Sequence, residues 1–130
     1  MKSSKKIRVI GLMSGTSLDG IDIVYAKFWR NEKWNFSIEK STTITYSIKW
    51  KEELQGLHLK DKEYISKIDS DYGMLLGDQT YKFIQENNIT VDVICSHGHT
   101  IFHQPEKHFT LQIGNGKKIA DSCKTMVINN

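Results

Sequence analysis

The chain has 130 residues, 38% of them hydrophobic and 25% charged, and its 18 Lys+Arg against 15 Asp+Glu leave a net charge of +3. That length suits one domain, and the charges are interspersed except at Lys2, Lys5, Lys6 and Arg8, so no basic stripe with interleaved aromatics marks a nucleic-acid surface. The start is too polar for a secretory leader, no apolar run is long enough for a bilayer-spanning helix, and Cys95 and Cys123 form no Cys-x-x-Cys. The class expected is therefore a reduced, cytoplasmic protein that binds neither nucleic acid nor membrane.

Residues 7–14 read as a buried strand and 21–29 as a second, antiparallel to it. Arg30, Asn31, Glu32 and Lys33 make a polar turn. Trp34, Phe36 and Ile38 then alternate with Asn35, Ser37 and Glu39, the period of a half-buried strand, and residues 42–46 extend it with β-branched and aromatic types. A short helix is expected over 50–57. A longer one follows over about 61–86, where Ile65, Ile68, Tyr72, Leu75, Leu76 and Phe83 recur at three- and four-residue steps. Gly73 and Gly77 each cost that helix about 1 kcal/mol relative to Ala, which close packing of the helix on the sheet would explain. Asn87 and Asn88 stop it.

Residues 91–95 read as a further buried strand, parallel to the first, ending in Ser96-His97-Gly98-His99-Thr100. Pro105 marks a loop. Phe109, Leu111 and Ile113 alternate as a strand, Gly114-Asn115-Gly116 turns, residues 117–123 form a short helix, and 125–128 begin one more strand. Three antiparallel strands, then helix, strand, helix and strand, make a mixed α/β sheet.

Two stretches carry more chemistry than the fold requires. The turn Ser14-Gly15-Thr16-Ser17-Leu18-Asp19-Gly20 offers hydroxyls, glycines and a carboxylate, with Asp22 just beyond. Glycines let backbone N–H groups approach an anion, and a carboxylate beside them can hold Mg²⁺ directly or through water. The spacing Gly15-x₄-Gly20 matches the start of a P-loop, but Ile21-Asp22 stand where Lys-Ser/Thr should follow. The two readings are a phosphate-binding hairpin and an ordinary Gly/Ser turn.

The second stretch holds His97, His99, His103 and His108. Imidazole is a common Zn²⁺ ligand, and His97 and His99 would share a face if the strand ran on through them. They could also satisfy loop hydrogen bonds. A third reading treats Ser96, His97, His99, Thr100, His103 and Gln104 as neutral donors and acceptors for a hydroxyl-rich ligand such as a sugar, placed where α/β sheets bind ligands.

These residues also carry a resemblance. Gly11-Leu12-Met13-Ser14-Gly15-Thr16-Ser17-Leu18-Asp19-Gly20-Ile21-Asp22 resembles the amino-terminal signature of anhydro-N-acetylmuramic acid kinases. Ser96-His97-Gly98-His99-Thr100 is similar to their S-H-G-Q-T element, and Phe109-Thr110-Leu111-Gln112-Ile113-Gly114 with Ile119-Ala120 is similar to the stretch that follows it. Three ordered matches cover most of the chain. His99 stands where Gln is usual and Asn115 where Asp is more usual.

The resemblance implies the actin-like ATPase superfamily, with two ribonuclease H-like domains and ATP between them; residues 1–130 would be the amino-terminal one. It implies ATP- and Mg²⁺-dependent phosphorylation of 1,6-anhydro-N-acetylmuramic acid with hydrolytic opening of the anhydro ring, giving N-acetylmuramic acid 6-phosphate in cell-wall recycling. ATP phosphates would lie on Gly15, Thr16, Ser17, Leu18, Asp19, Gly20, Ile21 and Asp22, with Mg²⁺ at Asp19. The sugar would lie near Ser96, His97, Gly98, His99 and Thr100. The partners implied are that sugar and ATP, with a homodimer left open. Family members are more than twice as long, and their D-T-G-P-G-N motif, which holds the catalytic base, comes after the last residue here. The chain is thus expected to be an amino-terminal fragment, inactive alone. Two other readings stand beside it: a chaperone-like nucleotide-binding module using the same hairpin, and a metal-dependent protease-like relative using the histidines.

Overall fold

The computed structural model describes residues 5–15, 18–104 and 109–129. Strands β1 (Ile7–Ser14), β2 (Gly20–Arg30) and β3 (Trp34–Thr45) come first, then helices α1 (Ile48–Gly56) and α2 (Lys62–Asn87) joined by a 3₁₀ turn at Leu57–Leu59. Strand β4 (Val93–Ser96), a hairpin of β5 (His99–Gln104) and β6 (Phe109–Ile113), helix α3 (Gly116–Cys123) and β7 (Met126–Asn129) follow.

Five strands form one sheet in the order β3-β2-β1-β4-β7, and β5 and β6 form a separate two-stranded sheet. β1 pairs antiparallel with β2, and β2 with β3. β4 runs parallel to both β1 and β7. The sheet is thus mixed, within an α/β domain. β6 is the strand expected at Phe109, Leu111 and Ile113; β5, which pairs with it, is an addition, because residues 99–104 carry no clear alternation.

The helices begin where side chains can cap them. Ser47 accepts from the Trp50 amide at 3.1 Å, Asp61 from Tyr64 at 2.8 Å and Asn115 from Lys118 at 3.2 Å, each satisfying an amide with no intrahelical acceptor. This is why α1 starts two residues earlier than the apolar spacing predicts. Asn115 caps α3 as an Asp would, so Asn in place of Asp at this position leaves the local structure intact. α2 ends on Asn88 in the left-handed conformation (φ 50°), a cap that Asn tolerates.

Period-two alternation puts Ile10 and Leu12 of β1, Ile21, Ile23 and Tyr25 of β2, and Ile94 of β4 on one face. There they meet Leu54, Leu57, Ile68, Tyr72, Leu76, Phe83 and Ile119 from the helical side. Gly73 and Gly77 mark a different contact from the one expected. A Cβ on Gly73 would lie 2.7 Å from the Asn115 carbonyl oxygen, and one on Gly77 would lie 2.6 Å from Ser122 Oγ. The glycines let α3 and the turn before it approach α2, rather than letting α2 approach the sheet.

The register sends the other side chains to the opposite face. Ile7, Met13, Trp34, Phe36, Ile38, Met126 and Ile128 all lie there and are all exposed. A trough of about 740 Å³ runs along this face, lined by Gly11, Met13, Asp22, Val24, Cys95 and Ile128. Among the described residues, no helix is long and apolar enough to cross a membrane.

Candidate functional site

Because β1, β4 and β7 run parallel, their carboxyl ends share one sheet edge, the usual ligand edge of such sheets. The β1–β2 turn and residues 96–100 both emerge there. Leu12 pairs with Ser96, and the His97 amide continues the ladder to the Leu12 carbonyl at 3.0 Å.

The turn is tightened by the Leu18 amide donating to the Gly15 carbonyl at 3.3 Å, with Leu18 left-handed at φ 59°. Thr16 and Ser17 lie outside the described residues. Asp19 is exposed, and its carbonyl accepts from the Tyr46 amide at 3.3 Å, tying the turn to the end of β3. Gly20 and Ile21 are buried. Asp22 is exposed on the open face, where Thr43 Oγ1 donates to its carboxylate at 2.6 Å. Asp19 and Asp22 therefore sit at one end of the molecule. They are oxygen donors of the kind a hard divalent cation takes.

A buried chain of hydroxyls joins this turn to the histidine stretch. Ser14, the last residue of β1, has its Oγ 2.5 Å from the Tyr46 hydroxyl and 2.9 Å from His99 Nδ1. The Tyr46 hydroxyl is in turn 2.5 Å from that of Tyr72. His99 is 3% exposed and packs edge-on against the Tyr72 ring, 6.3 Å between centroids. Burial lowers the pKa of His99 and raises those of Tyr46 and Tyr72, because each environment disfavours the charged form. The chain is thus neutral, and every hydroxyl in it has a partner.

His97 goes the other way. It is exposed, and the Gln112 amide nitrogen lies 3.1 Å from its Nε2 and 3.3 Å from Thr100 Oγ1. His97 and His99 do not share a face, because Gly98 breaks the strand between them. Its φ is +73°, and a Cβ there would lie 2.3 Å from the Ile113 carbonyl oxygen. Only glycine suits both the conformation and the approach of β6. His103 lies on β5 and His108 outside the described residues. Among the described residues, no group of three or more His, Cys, Asp or Glu is placed to hold a metal ion.

Next to His97 lies a polar hollow of about 310 Å³, bounded by Asp69, Ser96, Gln112, Gly114, Lys117 and Asn129 among others. Asp69 accepts from the Gly114 amide at 2.6 Å and its carbonyl from Asn115 at 3.3 Å, which fixes the turn into α3. Reading the sequence misses Asp69, Tyr46, Tyr72 and Asn129, which belong to apolar or irregular stretches. Gln112 lies in the stretch Phe109–Gly114, where no sequence pattern marks it as a partner of His97.

The family model for anhydro-N-acetylmuramic acid kinase matches residues 7–130. The chain belongs to the anhydro-N-acetylmuramic acid kinase family. Curated members include proteins named anhydro-N-acetylmuramic acid kinase from Pseudoalteromonas translucida, 35% identical over 127 residues, from Acinetobacter baylyi, 33% over 126, and from Bacillus thuringiensis subsp. konkukian, 31% over 134. These alignments cover 86%, 92% and 94% of this chain but 32%, 32% and 35% of the relatives. The chain thus spans about a third of the length of the curated relatives it matches.

Proposed function

We propose that the full-length protein is a sugar kinase that uses ATP to phosphorylate 1,6-anhydro-N-acetylmuramic acid, opening the anhydro bridge with water. Water gives up a proton to a general base and adds at the anomeric carbon as the bridging C1–O bond breaks, and the freed oxygen on C6 takes the γ-phosphoryl group as ADP leaves. The product, N-acetylmuramic acid 6-phosphate, would return to cell-wall recycling in the cytoplasm. The observation that carries this reading is the family match over residues 7–130. In the same reading these residues form the first of two ribonuclease H-like domains.

The geometry supports a division of labour. The stretch from Gly15 to Asp22, which joins β1 to β2, carries glycines and hydroxyls of the kind that suit phosphates, and the exposed carboxylate of Asp19 suits Mg²⁺, held directly or through water. Mg²⁺ there would neutralise phosphate charge. His97, Gly98 and Thr100, at the same edge, suit the sugar. His99 would act indirectly, since its ring is buried against Ser14, and it would hold the sugar stretch to the phosphate turn. The general base is placed outside these 130 residues, so the chain alone should not turn over.

Assay of the full-length protein with ATP, Mg²⁺ and the anhydro sugar tests this. Phosphorylated sugar should form, Asp19→Ala should lower turnover by about 10²–10³-fold, and His97→Ala should raise the apparent constant for the sugar more than that for ATP. No phosphorylated product from the wild-type protein would overturn the reading.

A further inference from the structure

We infer that Tyr46 is a positioning residue for phosphoryl transfer: it clamps the turn between β1 and β2 from both ends, and so sets where that turn presents the Asp19 carboxylate. The inference rests on the kinase reading above and deepens it, by naming a side chain that acts on the site through Ser14 and Asp19.

The first observation is that one residue reaches both ends of the turn. The Tyr46 hydroxyl lies 2.5 Å from Ser14 Oγ, where β1 ends, and the Tyr46 amide donates to the Asp19 carbonyl at 3.3 Å, one residue before β2 begins. Gly20 makes the second contact possible. It pairs with Thr45, the residue before Tyr46, and a Cβ on it would lie 2.1 Å from the Ile44 carbonyl oxygen. Any larger residue there would push the end of β3, and Tyr46 with it, away from the turn. Leu18, between the two contacts, is left-handed at φ 59° and packs against the core. A residue other than glycine keeps that conformation only where its surroundings fix it, and the residue that follows Leu18 is the one that Tyr46 holds.

The second observation is that Tyr46 is itself fixed. It is 8% exposed, and its hydroxyl lies 2.5 Å from that of the fully buried Tyr72 on α2. A hydroxyl has one proton, so it donates to one of Ser14 and Tyr72 and accepts from the other, which pins the oxygen on both sides. The cluster around these tyrosines is made mostly of Ile and Leu. An apolar core needs no hydroxyl chain to be stable, whereas a satisfied polar network fixes a single arrangement. The arrangement fixed here is that of the turn against α2. The same helix holds the Gly114 amide through Asp69, three residues before Tyr72. α2 thus serves as a common frame for the turn between β1 and β2 and for the turn into α3.

The test is steady-state kinetics of the full-length protein, with ATP, Mg²⁺ and the anhydro sugar each varied, at a temperature well below every melting transition. Tyr46→Phe keeps the ring and the backbone bond to Asp19 and removes the hydroxyl. Its kcat should fall about 10- to 100-fold, the effect of a displacement of about 1 Å at the reacting groups. Its apparent Mg²⁺ constant should rise, while the sugar constant stays near wild type. Phe83→Leu, a core substitution near the other end of α2, is the control for lost stability alone: it should melt lower and keep wild-type kcat. Tyr46→Phe that melts lower with wild-type kcat and Mg²⁺ constant would overturn the inference, as would a change confined to the sugar constant. If the single variant does not fold, the Tyr46→Phe, Tyr72→Phe double variant leaves neither tyrosine hydroxyl to be orphaned and carries the same expectation and the same refutation. Wild type that forms no phosphorylated sugar would overturn the kinase reading, whereas normal wild-type turnover matched by the variant overturns the positioning role alone.

Discussion

Tyr46→Phe should destabilise the protein more than Tyr72→Phe, although Tyr72 is the more deeply buried ring. Tyr46 sits in the middle of the hydroxyl chain, 2.5 Å from Ser14 Oγ and 2.5 Å from the Tyr72 hydroxyl. Phenylalanine keeps the ring and its tilted contact with Tyr72, so no sizeable cavity opens. Two hydrogen bonds are lost, and the fully buried Tyr72 hydroxyl is left without a partner, while Ser14 keeps His99. A lost bond contributes about 1 kcal/mol and an orphaned buried hydroxyl costs about 1–3 kcal/mol, so the expected loss is about 2–4 kcal/mol. Tyr72→Phe removes one bond, and Tyr46 keeps Ser14, so about 1 kcal/mol is expected. The double variant should cost less than the two single losses added together, because no orphan remains. Urea unfolding of the four proteins measures this through shifts in midpoint at constant slope. A Tyr46→Phe loss no larger than that of Tyr72→Phe, or strict additivity, would refute the proposed order of partners.

Two further outcomes follow from the same core. Burial holds the pKa of His99 below its ordinary value, so the unfolded chain takes up a proton first as pH falls; stability from this group is complete above about pH 6.5 and is lost as pH drops through the folded value. Unfolding midpoints between pH 7 and pH 5 should fall more steeply for wild type than for His99→Gln, and matching slopes would remove His99 as the cause. Gly73→Ala and Gly77→Ala should each destabilise despite alanine's helix propensity, because the added Cβ would lie 2.7 Å from the Asn115 carbonyl oxygen in the first and 2.8 Å from Ser122 Cβ, which is fixed to the α3 backbone, in the second; a melting temperature at or above wild type for both would show that α2 and α3 are not packed this closely.

The strands β1 to β4 and the helices were legible because their signals are local. Alternation at Trp34, Phe36 and Ile38, the spacing of Ile68, Tyr72 and Leu76, and the stop at Asn88 each depend on residues within a turn or two. The cap at Ser47 was equally local, and the apolar spacing merely hid it. The turn between β1 and β2 and the stretch from Ser96 to Thr100 were visible as polar clusters at strand ends, and the motifs they carry named the family.

What the sequence by itself determined, then, is the set of elements, the two polar stretches and the family. The tertiary structure decided how those stretches meet. Ser14 and His99 are 85 positions apart and 2.9 Å apart in space, because β4 chose a place parallel to β1. Gly98 then turned His97 outward and His99 inward. The polar hollow beside Ser96 depends on three strands and a helix start at once. Side-chain direction follows from strand register, and register is set by pairing between distant segments, which no local pattern along the chain records.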